Sequence, residues 1–157
     1  MIRTCPPYDQ STHRPIPDAF DKAPDGAGGI QLVQLVEPIP LAEMKAVRKA
    51  SATELRWQQE TRGIVIAGVP VATDDRSKTL ILGKRAQAQA DPAMIFRWKA
   101  ASGEWVDLTG AQIIAVADAV ADHVQACFDR EGELHDAIDA AETAEAVLTV
   151  DIAAGWP

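Results

Sequence analysis

Residues 96–112, FRWKAASGEWVDLTGAQ, pass from a β-hairpin into the first turn of a helix. A three-residue loop of Ala101, Ser102 and Gly103, with Gly103 in the left-handed conformation, sets one register for the two strands. That register gives four cross-strand pairs: Phe96 with Leu108, Trp98 with Val106, Arg97 with Asp107, and Lys99 with Trp105. The first two pairs form an apolar face, and the other two predict an ion pair and a cation–π contact on the opposite face.

The helix after the hairpin begins at a capping box, in which the side chains of Thr109 and Gln112 each accept from the other residue's backbone amide. Apolar residues then recur at alternating spacings of four and three: Ile113, Ala117, Val120, Val124, Cys127, Leu134, Ile138 and Ala141. Glu131 interrupts this stripe beside Gly132, so we expect a kink or a break there. A heptad stripe can pack against another chain or within its own chain. Val116 and Phe128 make this stripe wider than a two-position heptad seam, which favours packing within the chain.

A second helix is predicted from Pro40, which suits a position just before the first turn, to Gly63, which suits the C-terminal cap. Its apolar face is thin and consists of Met44, Val47, Ala50 and Leu55. A long polar helix with so thin a face is typically exposed in part or completed by another chain.

A tight hairpin is predicted next, because two β-branched runs flank Ala67-Gly68. Pro70 lacks an amide hydrogen and therefore belongs on an edge strand. Asp74 or Asp75 then caps a further helix, which stops at Asp91-Pro92.

The first 40 residues have a different composition. They hold seven of the ten prolines, at positions 6, 7, 15, 17, 24, 38 and 40, which argues against a long helix or a central strand. Only residues 30–36, IQLVQLV, are apolar enough for a strand. We therefore divide the chain into an extended proline-rich docking arm, residues 1–40, and a small α+β domain, residues 41–157. The arm is either a loose tail with one strand on its own domain or a strap onto a neighbouring subunit, and we favour the strap.

Candidate interaction residues follow from this division. They are Ile30, Leu32, Leu35 and Val36 in the arm and Trp105 in the second hairpin. Trp98 is expected in the core, whereas Trp105 is expected to be more open and to serve as an interface residue.

The chain is acidic, with 15 basic and 23 acidic residues, a net charge of −8 and a pI near 4.8. Such a balance disfavours binding to nucleic-acid phosphates or anionic lipids. No run reaches the ~20 apolar residues of a membrane span. Pro6, Pro7 and Asp9 stand where a signal peptide would need an apolar segment. We expect no nucleic-acid partner, no membrane insertion and synthesis in a cytoplasm.

No catalytic or metal-binding pattern is complete in the sequence. His123 and Cys127 have the spacing of two metal ligands on one helix, but no third ligand has a motif context. Cys5 and Cys127 do not define a disulfide framework, and His135 with Asp139 is typical of a solvated helix pair. We therefore expect no enzymatic activity, no metal and no cofactor.

Several short segments together resemble a known family. They are residues 63–64 (GI), 68–74 (GVPVATD), 98–99 (WK), 105–106 (WV), 123–131 (HVQACFDRE), 151–152 (DI) and 155–157 (GWP). In their order they resemble a small domain of unknown function found in tail and tail-fibre proteins of tailed bacteriophages and their prophages. The likeness runs from about residue 45 to the end. Ala67 departs from it where Asn-Gly is common, as does Ser102-Gly103 where Asp-Gly is common.

The resemblance implies a non-enzymatic structural component of a bacteriophage virion, a tail or tail-fibre-associated subunit made in the bacterial host cytoplasm. It would join larger tail proteins through its arm and helical faces, as part of a homo- or hetero-oligomer in a symmetric assembly. The alternative is a tail-fibre assembly chaperone that is not retained in the mature particle. An enzyme acting on the cell envelope is disfavoured, because no carboxylate pair or metal set supports it.

Overall fold

The chain folds as an α+β protein with small sheets and a long C-terminal helix in this computed structural model, which describes residues 3–100 and 102–157. The strands are β1 (Arg3–Thr4), β2 (His13–Pro24), β3 (Ile30–Pro38), β4 (Ile64–Ile66), β5 (Val69–Val71), β6 (Ile95–Lys99) and β7 (Trp105–Thr109). The helices are α1 (Leu41–Thr61), α2 (Asp75–Ala90), α3 (Gly110–Ala140) and α4 (Ala144–Thr149). The predicted α+β class and the long helix are confirmed.

Helix α3 is the scaffold against which α1, α2 and all the small sheets except the N-terminal one pack. Its buried side chains follow most of the predicted stripe, which therefore packs largely within the chain; Val124 is the exception, since it is only half-buried and His123 is buried beside it. The expected break at Glu131 is wrong, since α3 is continuous through Gly132. Arg56 of α1 lies 2.8 Å from the Glu131 carboxylate and satisfies its charge where an apolar residue would otherwise stand.

Four apolar clusters lie along α3 rather than one large core. Phe96 and Ile113 centre the cluster at its N-terminal end, and Met44, Ala141 and Val147 form the cluster at the opposite end. The predicted apolar face of α1 is partly wrong: Val47 is 63% exposed. The buried positions of α1 are Met44, Ala52 and Glu60, so its inner face combines apolar packing with a buried charge.

The second hairpin has the predicted register at all four cross-strand pairs. Gly103 adopts φ +91, which is the left-handed conformation expected of it, while Ala101 lies outside the described residues. The capping box at Thr109 is confirmed, with its hydroxyl accepting from the Gln112 amide and the Gln112 side chain accepting from the Thr109 amide. Hairpin and helix are therefore joined without a linker.

The first hairpin also follows its prediction. Ile64 pairs with Val71, and Val65 with Pro70, across a turn at Ala67 and Gly68. Both turn residues have positive φ, +48 for Ala67 and +81 for Gly68. That is the left-handed pair of a type I′ turn, in which a non-glycine first residue is strained. Helix α2 then begins at the Asp74 cap, as expected.

The N-terminal segment differs from the predicted extended arm. Residues 13–38 fold back as a hairpin of β2 and β3, and β1 pairs parallel to β3. The strand order is β1-β3-β2, so β3 is central and the argument from proline content against a central strand was wrong. The prolines lie mainly outside β3, at positions where the ladder tolerates a missing donor.

Candidate interaction site

The three-stranded N-terminal sheet lacks a core of its own, because none of residues 3–38 is buried. Strand alternation places Ile30, Leu32 and Val36 on one face, together with Phe20 of β2. We call this surface, composed of Phe20, Ile30, Leu32 and Val36, the apolar sheet face; the polar Gln34 lies on it between Leu32 and Val36. Leu35, the fourth candidate of the segment, lies on the opposite face. Ile30 is 56% exposed and the other three apolar residues are half-buried, so the surface is partly open in the isolated chain.

Charge on the apolar sheet face is of one sign. Arg3 and Lys22 both pair with Leu32, one from each side, and form a row across the three strands. The Arg3 guanidinium also lies 5.2 Å from the centre of the Phe20 ring. Among the paired residues of this face none is acidic. The surface therefore suits a partner that is apolar and acidic.

Arg14 fastens the sheet to the helical part of the molecule. Its Nε lies 3.0 Å from Glu37 on β3, and its Nη1 lies 2.7 Å from Glu43 in the first turn of α1. Hydrogen bonds to Glu37 and then to Glu43 raise the pKa of Arg14 above its ordinary value. The Ile39 amide donates to the Thr12 carbonyl at 2.8 Å. The sheet is thus anchored beside the N-terminus of α1.

The outer edge of β2 is unsuited to pairing with another strand. The β2–β3 register shifts between Pro15 and Phe20, and the Gln34 side chain donates to the carbonyls of Ile16 (2.6 Å) and Ala19 (3.0 Å) in the intervening bulge. Bulges and prolines prevent edge-to-edge association. A partner strand should therefore not add at the outer edge of β2.

Trp105 is exposed on the outer face of the second hairpin, with 59% of its surface accessible. The Arg97 guanidinium lies 5.2 Å and the Lys99 ammonium 5.9 Å from the centre of its rings. The predicted cation–π contact with Lys99 is confirmed. The expected ion pair of Arg97 with Asp107 is absent from this part of the described structure, because Arg97 stacks on Trp105 instead. An aromatic ring between two cations has the composition of a protein interface.

A surface groove of about 250 Å³ runs between α2 and α3. We call it the α2–α3 groove; it is lined by Lys78, Ile81, Leu82, Ala117, Val120, Ala121, Val124 and Gln125. Leu82 is 62% exposed on one wall. Asp122 and Asp129 lie three and four residues from Gln125, so they share its side of α3. Within the described chain neither carboxylate forms an ion pair, which leaves an apolar groove with an acidic rim.

A second apolar groove, of about 240 Å³, lies between the two hairpins and the start of α3. Ile66, Val69, Trp98, Leu108 and Val116 line most of it. Polar side chains are nearly absent from its wall, which disfavours a catalytic role because chemistry requires placed polar groups.

A polar centre lies where α1, α2 and α3 meet. Glu60, only 6% exposed, accepts from Arg56 on its own helix and from Lys78 on α2. Glu131 lies 2.8 Å from Arg56 and also accepts from the Thr53 hydroxyl. Each of these charges has an opposite partner, so the centre cross-links three helices and leaves no acid or base free for catalysis.

Lys78 is a partly buried cation of this polar centre, where burial and hydrogen bonding act on its pKa in opposite directions. Burial disfavours its charged form, but hydrogen bonds to Glu60 and Asp75 outweigh that cost, and the pKa of Lys78 is raised above its ordinary value. Lys78 therefore stays protonated and acts as a structural cation at the lip of the α2–α3 groove.

His123 and Cys127 face each other on α3 as the sequence predicts. The sulfur lies 3.9 Å from His123 Nε2, which is itself 3.2 Å from the Gln59 carbonyl oxygen. Within residues 3–100 and 102–157, no three histidine, cysteine or acidic side chains approach closely enough to hold a metal ion. In the same residues, no helix is long and apolar enough to cross a bilayer.

Negative charge is concentrated at the C-terminal end of the chain. Residues 110–157 contain ten acidic residues and one basic residue, Arg130, whereas residues 1–109 contain thirteen acidic and fourteen basic residues. The net charge of −8 thus comes almost entirely from α3 and the residues after it.

A family model described as Domain of unknown function (DUF4376) matches residues 43–154. The chain belongs to this family. No curated protein and no solved structure matches the chain. The DUF4376 domain includes the polar centre, Trp105 and the α2–α3 groove, while the N-terminal sheet precedes it.

Sequence reasoning identified the apolar residues of the sheet and Trp105 but missed the α2–α3 groove and the polar centre. The sequence signals of the polar centre were the acidic residue at position 131 in an otherwise apolar stripe and the i,i+4 spacing of Arg56 and Glu60. The groove had no signal, because its walls come from two helices whose relative position the sequence does not show.

Proposed function

We propose that this DUF4376 chain is a non-enzymatic structural subunit of a tailed-bacteriophage tail or tail fibre. In this role the N-terminal sheet joins the subunit to its neighbours, and the exposed hairpin and helical faces contact larger tail proteins. The resemblance of residues 45–157 to a domain found in phage tail proteins supports the biological setting.

The observation that carries the proposal is the uncovered N-terminal sheet. An isolated small sheet requires a covered apolar face for stability, yet none of residues 3–38 is buried. Arg14 links the sheet to the first turn of α1, so the sheet lies beside that helix. A preformed apolar surface of this kind is typical of a protein–protein interface.

Mass spectrometry of purified, nuclease-treated phage particles tests the proposal by measuring this chain against the major capsid protein. A fixed low copy number that follows the tail's rotational symmetry supports a structural subunit. Absence from particles, with co-purification of the chain and a fibre protein from lysate, would instead assign it to fibre assembly and refute the proposal.

A matched pair of variants tests the role of the sheet. Ile30→Asp places a charge on the apolar sheet face, whereas Leu35→Asp places the same charge on the opposite face. Both native side chains are exposed, so both variants should fold. We expect Ile30→Asp to be lost from particles and Leu35→Asp to be retained; equal incorporation of the two variants would contradict the assignment.

A further inference from the structure

Two uncovered surfaces of this chain match each other in chemistry. The apolar sheet face carries Arg3 and Lys22 and, among its paired residues, no acid. The α2–α3 groove is apolar and bordered on one side by Asp122 and Asp129, neither of which forms an ion pair with a described residue; Asp129 accepts from Gln125 at 2.7 Å. Lys78 at the lip of the groove is already paired with Glu60 and Asp75. Apolar surface on apolar surface, with cations opposite acids, is the arrangement of a specific interface.

We infer that the apolar sheet face of one copy docks on the α2–α3 groove of a second copy. The inference rests on the proposed function, since it names the neighbour that the N-terminal sheet joins. It leaves Trp105 and the outer hairpin face free for larger tail proteins.

The spacing of the charges agrees with this pairing. Arg3 and Lys22 flank Leu32 on adjacent strands, so two strand spacings separate them, about 10 Å. Asp122 and Asp129 are two helical turns apart, also about 10 Å. With the strands crossing α3 at a steep angle, each cation meets one carboxylate. Leu32 then lies over the part of the groove between them, beside Gln125.

The same chain does not make this contact with itself. Arg14 and Ile39 anchor one end of the sheet beside Met44, which packs with Ala141 just after the end of α3. The groove lies around Ala121, and α3 rises about 30 Å between that position and Ala141. No extensive packing joins the described residues of the sheet to α2 or α3, so the inference assigns the partner surface to a second copy.

A contact between two different surfaces of identical chains can form in one of two ways. Two copies can engage each other's sheet and groove reciprocally, as a two-fold dimer. If they do not, one free sheet and one free groove remain after each addition, and a ring or an open row of subunits results.

Light scattering of the purified full-length chain, measured across its soluble concentration range, tests the inference first. We expect assemblies of two or more copies that become smaller as salt is added, because the charged contacts are screened. A wild-type chain that stays monomeric at every concentration would overturn the inference.

Two blocking variants then distinguish the surfaces. Ile30→Asp blocks the sheet and Leu82→Asp blocks the groove; both native residues are exposed, and circular dichroism verifies folding. Each variant alone should be monomeric, while an equimolar mixture should form a dimer and nothing larger, because one intact sheet and one intact groove remain. A mixture that stays monomeric, or one that grows beyond a dimer, would contradict the pairing.

Charge exchange tests the assigned register. Lys22→Glu and Asp129→Lys should each raise the apparent dissociation constant by about tenfold or more, and the double variant should recover most of the affinity. Arg76→Glu, a charge reversal on the exposed start of α2, is the matched control and should assemble normally. Failure of the double variant to recover would refute this register.

These results separate the inference from the proposed function. A chain that is monomeric in solution but present in particles overturns the self-association and leaves the tail assignment intact. A chain that assembles in solution but is absent from particles keeps the docking contact and overturns the tail assignment.

Discussion

Arg56 Nε lies 2.8 Å from Glu131 Oε2 and joins α1 to α3 at the one position where the apolar stripe of α3 is interrupted. Both side chains are largely buried, with 14% and 12% of their surfaces exposed. Glu131 interrupts the apolar heptad pattern, but its ion pair with Arg56 is a contact between α1 and α3. The helix α3 continues through this position.

Removing Arg56 should be strongly destabilising. Arg56→Ala leaves Glu131 and Glu60 without their shared cation in a buried setting, which costs about 3 kcal/mol of unfolding free energy. Replacing both partners, Arg56→Met with Glu131→Leu, restores apolar packing between the helices and should be milder than the single change. Urea unfolding followed by circular dichroism measures both. An Arg56→Ala variant as stable as the wild type would show that the ion pair is not a structural link.

Thr73, which follows the first hairpin, hydrogen-bonds to the C-terminal end of α1. Its hydroxyl is fully buried, donates to the Glu60 carbonyl at 2.5 Å and accepts from the Gly63 amide at 2.9 Å. Thr73→Val keeps the shape but leaves both backbone groups unpaired, so we expect a loss of about 2 kcal/mol in unfolding free energy. Thr73→Ser keeps the hydroxyl and is the control. If valine is tolerated better than serine, the hydroxyl is not the important group.

Two glycines of α3 should respond in opposite ways to alanine. A Cβ at Gly110 would lie 2.8 Å from the Asp91 carbonyl oxygen and from Pro92 Cα, which are backbone atoms that cannot move aside easily. Gly110→Ala should therefore cost about 1–3 kcal/mol.

Gly132 is the matched case, because a Cβ there meets no atom within 4 Å. Gly132→Ala should stabilise the helix by up to about 1 kcal/mol through propensity alone. Thermal unfolding of the two variants in parallel measures the contrast, and a shift in the same direction for both would contradict the packing at Gly110.

The two cysteines should differ in reactivity. Cys127 is fully buried, and burial followed by the nearby negative charge of Glu60 raises the pKa of its thiol, whereas Cys5 is exposed. A thiol reagent should modify Cys5 in the folded protein and both thiols only after unfolding. Modification of Cys127 at the folded-state rate of Cys5 would show that the helix interface opens readily.

The raised pKa of Cys127 also predicts a pH dependence. A raised folded-state pKa means that the folded protein favours the protonated thiol. This contribution is complete below the thiol's ordinary pKa and is lost as pH rises through the folded-state value. Urea unfolding at neutral and alkaline pH should therefore show a loss of stability that is smaller in Cys127→Ala.

The second half of the chain could be predicted closely from sequence because its signals are local. The second-hairpin register follows from side chains that face each other across one short loop, and the helix start follows from Thr109 and Gln112, three residues apart. The hairpin register and the helix start each have one favourable local arrangement, which short-range geometry determines.

The N-terminal half could not be predicted as well, because its structure depends on long-range partners. Proline content indicated an extended arm, but Gln34 closes the bulge of β2 and allows a proline-bearing strand to pair with β3. Glu60 likewise reads as half of an exposed i,i+4 pair with Arg56 on α1, because the sequence does not show that Lys78 of α2 packs over it and buries it. The contacts of Gln34 with the bulge and of Glu60 with Lys78 have no sequence spacing that would reveal them.

Because α3 is continuous, its length fixes the rotation between the anchored end of the sheet and the α2–α3 groove about the helix axis. The anchored end of the sheet and the α2–α3 groove lie near opposite ends of one unbroken helix. Inserting a single residue between them would shift one end by about 1.5 Å and rotate it by about 100° relative to the other. An insertion of seven residues would return the two ends almost to their original orientation. The number of residues in this helix therefore sets the relative orientation of the anchored end of the sheet and the groove.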